Sequence, residues 1–148
     1  MRKQILLVAM GAVGAFLAVQ SMALPYQGAK AAVAMLEQKV ELACKAPAGT
    51  GTMLWNKLDP QHKPQLTKTD WMADFNAIDA NHDGMISVKE LGKFDTTGGV
   101  ALLTAKVQWL KGGMMKKDWM NIFNSIDTNH DGKISRTELQ NYIAKICK

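Results

Sequence analysis

Two cysteines in 148 residues exclude a disulfide-rich scaffold and a four-thiolate zinc site. Charge of one sign is also scarce. Eighteen Lys+Arg against thirteen Asp+Glu leave a net +5, to which Arg2 and Lys3 contribute two, too small an excess to imply nucleic-acid binding. No G-x-S-x-G, no Cys/His nucleophile arrangement and no phosphate-cradling glycine loop is present, so no enzymatic activity is expected. Three histidines, His62, His82 and His130, are scattered without ligand spacing and read as surface residues rather than a zinc site. The apolar share, 47%, is that of a globular chain, which argues against disorder and against a multi-span membrane protein.

One long apolar run exists, at the start. Arg2-Lys3 precedes an uncharged stretch from Ile5 to Val19, and Ser21-Met22-Ala23 supplies small residues around a cleavage site after Ala23. Residues 1–23 are read as an export signal. An uncleaved anchor is the competing reading, weakened by Gln20 and Ser21 in its last turn. The chain is therefore expected in the periplasm or outside the cell, with no stable membrane span after cleavage. In an oxidising compartment Cys44 and Cys147 could be joined; two separate thiols, or a bridge between chains, are the alternatives.

The rest of the chain carries an internal repeat. Lys68 to Leu91 and Lys116 to Leu139, offset by 48, share 16 of 24 residues. In each copy an i, i+4, i+7 stripe reads as one helix face, Trp71, Phe75 and Ile78 in the first and Trp119, Phe123 and Ile126 in the second. Thr67 with Asp70 has the spacing of a capping box, Asp standing where Glu or Gln is usual. A polar loop follows, then a second helix, with Leu139, Tyr142, Ile143 and Ile146 on one face in copy two. In copy one that helix, about Val88 to Phe94, is shorter and bears Gly92.

The loops run from Asp79 to Glu90 and from Asp127 to Glu138, and both fit D-x-[DN]-x-[DN]-G-x5-E without mismatch. On these residues the chain resembles the EF-hand calcium-binding family, over two complete hands. The resemblance implies an all-α fold of paired EF-hands, helix-loop-helix twice, and, taken with the export signal at 1–23, the chain reads as an exported, bacterial, calmodulin-like two-hand module. It implies two Ca²⁺ ions. The first would be held by Asp79, Asn81, Asp83, the Met85 carbonyl, Ser87 through a water, and Glu90 with both oxygens. The second would be held by Asp127, Asn129, Asp131, the Lys133 carbonyl, Ser135 and Glu138. Glycine at Gly84 and Gly132 suits the sharp turn. Ile86 and Ile134, at one loop position, are expected to join the loops to each other by a short antiparallel β contact.

The spacing between hands departs from that pattern. Val100, Leu103, Val107 and Leu110 predict an inserted amphipathic helix over about 100–110 between glycine-bearing breaks. Ahead of the repeat, Lys30 to Ala46 reads as a helix ending before Pro47, and Ala48 to Gln65 as loop. The expected divisions are 1–23, signal; 24–66, helix and loop; 67–148, the paired hands, with hand 1 about 67–94 and hand 2 about 114–147. Two functions fit. One is a calcium-stabilised binding module; the other is a calcium sensor or regulatory subunit exposing an apolar groove, lined by methionine, to an unknown protein partner.

Overall fold

The computed structural model describes residues 30–104 and 113–148. The chain divides after residue 31 into two compact units, and all that follows concerns the second. The expected signal, its cleavage site and residues 105–110 of the expected inserted helix lie outside the described residues.

Helix α1, residues 32–45, ends two residues before Pro47, where a missing N–H and a fixed φ stop a helix but suit the first turn of a new one. That new helix, α2, Pro47–Leu58, occupies a stretch read from composition as loop. Its two glycines each cost about 1 kcal/mol relative to Ala. Burial outweighs them. Leu54, Trp55 and Leu58 are inside the core, and the Thr50 hydroxyl donates to the Ala43 carbonyl at 2.8 Å. Gly51 sits where a Cβ would lie 3.2 Å from Gln140 Cγ and 3.5 Å from Ile143 Cδ1, so its bareness lets α2 close on the last helix.

Strand β1, Gln65–Thr67, leads into α3, Lys68–Ile78. The capping box is present: Thr67 N–H donates to Asp70 Oδ2 at 2.9 Å, and Asp70 N–H to Thr67 Oγ1 at 3.3 Å. Next come β2, Met85–Ile86, and α4, Val88–Phe94. Asp95 then turns the chain, accepting from the N–H groups of Gly98 at 2.9 Å and Ala101 at 2.7 Å. Helix α5, Gly99–Leu103, is the described part of the expected insertion; it closes at Thr104, and all five of its residues are buried. Strand β3, Met114–Met115, helix α6, Lys116–Ile126, strand β4, Lys133–Ser135, and helix α7, Arg136–Ile146, complete the second hand.

Both predicted stripes face the core. Trp71, Phe75 and Ile78 of α3 and Trp119, Phe123 and Ile126 of α6 are all buried. The helices meet through a stack of Trp71 on Trp119, flanked by Phe123 and Phe75. Cys44 and Cys147 form an intramolecular disulfide with Cα atoms 5.2 Å apart, tying α1 to the residue after α7. The mostly helical architecture with two helix-loop-helix units agrees with expectation.

The β contacts are antiparallel as expected, but their partners differ. Ile86 pairs with Met114, and Ile134 with Leu66. Each loop joins the short strand ahead of the other hand's entering helix, and the two loops do not join each other. No described helix is long and apolar enough to cross a membrane.

Candidate metal centre

Each loop begins at the end of an entering helix. Asp79 N–H donates to the Phe75 carbonyl and Asp127 N–H to the Phe123 carbonyl, both at 2.9 Å. This backbone cap places a carboxylate at the loop mouth while burying it, since each Asp is only 3% exposed. Asp79 accepts through Oδ1 from Asp83 N–H at 3.2 Å and through Oδ2 from Gly84 N–H at 3.0 Å. Asp127 Oδ2 accepts from Gly132 N–H at 3.0 Å. Its Oδ1 is buried with no hydrogen-bond partner.

The loop path explains the residue types. His82 and His130 both have φ +57°, and Gly84 and Gly132 have φ +86° and +80°. Two left-handed residues so close together curl the chain inward, and glycine carries the second without strain. Inside the curl, Asn81 Oδ1 accepts from Asp83 N–H at 3.1 Å and Asn129 Oδ1 from Asp131 N–H at 3.0 Å. Asp83 Oδ1 accepts from Met85 N–H and Asp131 Oδ1 from Lys133 N–H, both at 2.9 Å.

The glutamates close each loop. Ser87 Oγ accepts from Glu90 N–H at 3.2 Å and donates to Glu90 Oε2 at 2.7 Å, while Ser87 N–H reaches the same oxygen at 2.9 Å. Glu90 Oε1 extends back to Asn81 N–H at 3.3 Å. Ser135 and Glu138 repeat the box, and Glu138 Oε1 accepts from Thr128 N–H at 3.1 Å and Thr128 Oγ1 at 3.3 Å. The Ser87 N–H and hydroxyl stabilise the Glu90 carboxylate and hold its pKa below the ordinary value. Burial opposes ionisation of Glu138, yet the Ser135 and loop N–H groups outweigh it and lower its pKa as well. Both groups are thus anionic at neutral pH.

The structure brings the predicted residues of each loop onto one turn of chain. Among the described residues, no three His, Cys, Asp or Glu side chains are arranged to hold a metal by themselves. Amide, hydroxyl and main-chain oxygens must complete any cage, and oxygen-only donors suit a hard cation such as Ca²⁺. The unpartnered Asp127 Oδ1 fits such an ion. His82, His130 and His62 are all exposed, on separate turns. The strand partners Leu66 and Met114 escaped the sequence reading. Their signal was available: they are 48 residues apart, each one residue ahead of the cap of a tryptophan-bearing helix.

Compared with protein families, residues 72–95 match the family described as EF hand, and residues 118–147 match that described as EF-hand domain. Comparisons with curated proteins and with solved structures find no match.

Proposed function

The chain is an EF-hand calcium-binding protein, and from that premise we propose that it is an exported module holding two Ca²⁺ ions, one in each loop, which stabilise its fold. The ligands are Asp79, Asn81, Asp83, the Met85 carbonyl and Glu90 in the first loop. In the second they are Asp127, Asn129, Asp131, the Lys133 carbonyl and Glu138. Ser87 and Ser135 act through water, because their hydroxyls already cap α4 and α7. Bound calcium supplies two positive charges to a loop holding three carboxylates.

The observation that carries this reading is the buried Asp127 Oδ1 without a partner, at the head of a loop whose other carboxylates all accept N–H groups. An unsatisfied buried carboxylate oxygen costs on the order of 1–3 kcal/mol or more, and a cation removes that cost. Export is supported by the residue pattern of 1–23 and by the Cys44–Cys147 disulfide, a bond that persists in oxidising compartments.

A stabilising role is favoured over sensing by two cross-links. The disulfide ties α1 to the end of α7, and the tryptophans of α3 and α6 bond each other reciprocally, which resists the helix separation that a sensor needs. Calcium calorimetry on metal-stripped protein tests the proposal. Glu90→Gln and Glu138→Gln should each weaken one of two sites at least tenfold, and unchanged binding in both variants would reject the ligand assignment.

A further inference from the structure

Residues 59–70, outside both matched segments, repeat the geometry of the two loops. Asp59 N–H donates to the Trp55 carbonyl at 2.8 Å, as Asp79 and Asp127 do to Phe75 and Phe123. Three residues on, His62 has φ +54° and donates its N–H to the Asp59 carbonyl at 3.1 Å; His82 has φ +57° and donates to the Asp79 carbonyl at 3.3 Å. Leu66, in eighth place, pairs with Ile134, which holds the eighth place of its own loop. Thr67, in ninth, caps α3, and Asp70, in twelfth, closes the box, as Ser87 does with Glu90. Helix α3 therefore leaves this turn and enters the next. Met114, which pairs with Ile86, is likewise eighth in the count ending at Asp118; the first half of that stretch lies outside the described residues.

Four motif positions differ. Where the metal loops have Asn81 or Asn129 in third place, Asp83 or Asp131 in fifth, Gly84 or Gly132 in sixth and Glu90 or Glu138 in twelfth, this turn has Gln61, Lys63, Pro64 and the shorter Asp70. Lys63 Nζ donates to Asp70 Oδ1 at 2.6 Å, so an ammonium contacts the carboxylate in twelfth place. Lys63 also borders a cavity of about 130 Å³ shared with Asp59, Asp70 and Asp74. Asp59 is 2% exposed, and its Oδ2 and that of Asp74 are buried without partners. A buried carboxylate without partners is favoured by a nearby positive charge or by taking up a proton.

We propose that residues 59–70 form a third hand whose cation is the Lys63 ammonium, and that this hand takes up no calcium while Lys63 is present. A charge fixed to the chain does not depend on ion concentration, and it repels a divalent ion from the same carboxylates. Strand β1 is then formed at any calcium level and offers loop 127–138 a constant partner. The proposal stands on the geometry of this turn and not on occupancy of the other two loops.

The test restores all four positions. Calorimetry with CaCl₂ should find one more equivalent in the Gln61→Asn/Lys63→Asp/Pro64→Gly/Asp70→Glu protein than in the unsubstituted chain, whatever the latter binds, and none extra in the triple variant that keeps Lys63. An unchanged count in a folded quadruple variant overturns the proposal, as does an extra equivalent with Lys63 retained or three equivalents in the unsubstituted chain. Lys63→Met removes the charge at nearly the same side-chain length. Its Tm in EDTA should fall by a few degrees, and an unchanged Tm overturns the proposal even if the quadruple variant does not fold.

Discussion

Trp71 and Trp119 lie face to face, with ring centroids 4.4 Å apart and planes inclined by 18°, and each indole N–H donates to the other residue's own carbonyl, at 2.9 and 2.7 Å. Both are fully buried. They are separated by the repeat spacing, so the duplicated unit meets itself at equivalent residues, and the strand pairs are reciprocal in the same way, Ile86 with Met114 and Ile134 with Leu66.

Replacing Trp119 by Phe should destabilise the fold by about 2–4 kcal/mol, because the Trp71 carbonyl loses its buried donor and the smaller ring leaves space. Trp71→Phe should cost a similar amount. The double variant should fall short of the sum by about 0.5–1.5 kcal/mol, since both changes remove one stack. Urea unfolding of the four proteins measures this, and strict additivity would contradict it.

Calcium should leave the binding of an apolar dye unchanged or reduce it. The helices that would have to part are held by the tryptophan bonds and the disulfide. A calcium-dependent rise in dye fluorescence would instead favour the groove-exposing sensor.

Two aspartates on α3 give opposite pH dependences. The Lys63 and Thr67 hydrogen bonds lower the Asp70 pKa to about 2; its contribution is therefore complete above about pH 4 and is lost as pH falls toward 2. Burial, with repulsion from Asp70 and Asp59, raises the Asp74 pKa to about 7. The folded state then binds the extra proton between about pH 4 and 7, so this group's contribution declines as pH rises through that window. Asp74→Asn should raise Tm at pH 8 and change it little at pH 4. An equal shift at both pH values would contradict the assignment.

The disulfide spans 103 residues, and closing so long a loop removes about 3–5 kcal/mol of unfolded-state entropy in the chain-entropy model. Cys44→Ser/Cys147→Ser should lose an amount of that order in urea unfolding. A loss below about 1 kcal/mol would show that the contacts around α1 and α7 suffice without it.

The sequence made the two hands legible because their signals are local. The stripes Trp71/Phe75/Ile78 and Trp119/Phe123/Ile126 declare helix faces, and the fixed spacing from Asp79 to Glu90 declares a loop. What it hid was non-local. Helix α2 was masked by Gly49 and Gly51, because composition shows the glycines' helix cost and not the close approach to Gln140 and Ile143 that Gly51 permits. The partners of Ile86 and Ile134 were hidden for the same reason: pairing is decided by contacts distant in sequence, and Leu66 and Met114 sit outside the loop motif. The turn at 59–70 was obscured by Gln61, Lys63, Pro64 and Asp70, which break the motif while its backbone landmarks remain.

The most direct test is native mass spectrometry of the metal-stripped chain titrated with calcium. The account predicts a final species heavier by two calcium ions, and one ion fewer in Glu90→Gln or Glu138→Gln at calcium concentrations that just fill both sites. A chain that stays at its metal-free mass in millimolar calcium would contradict it.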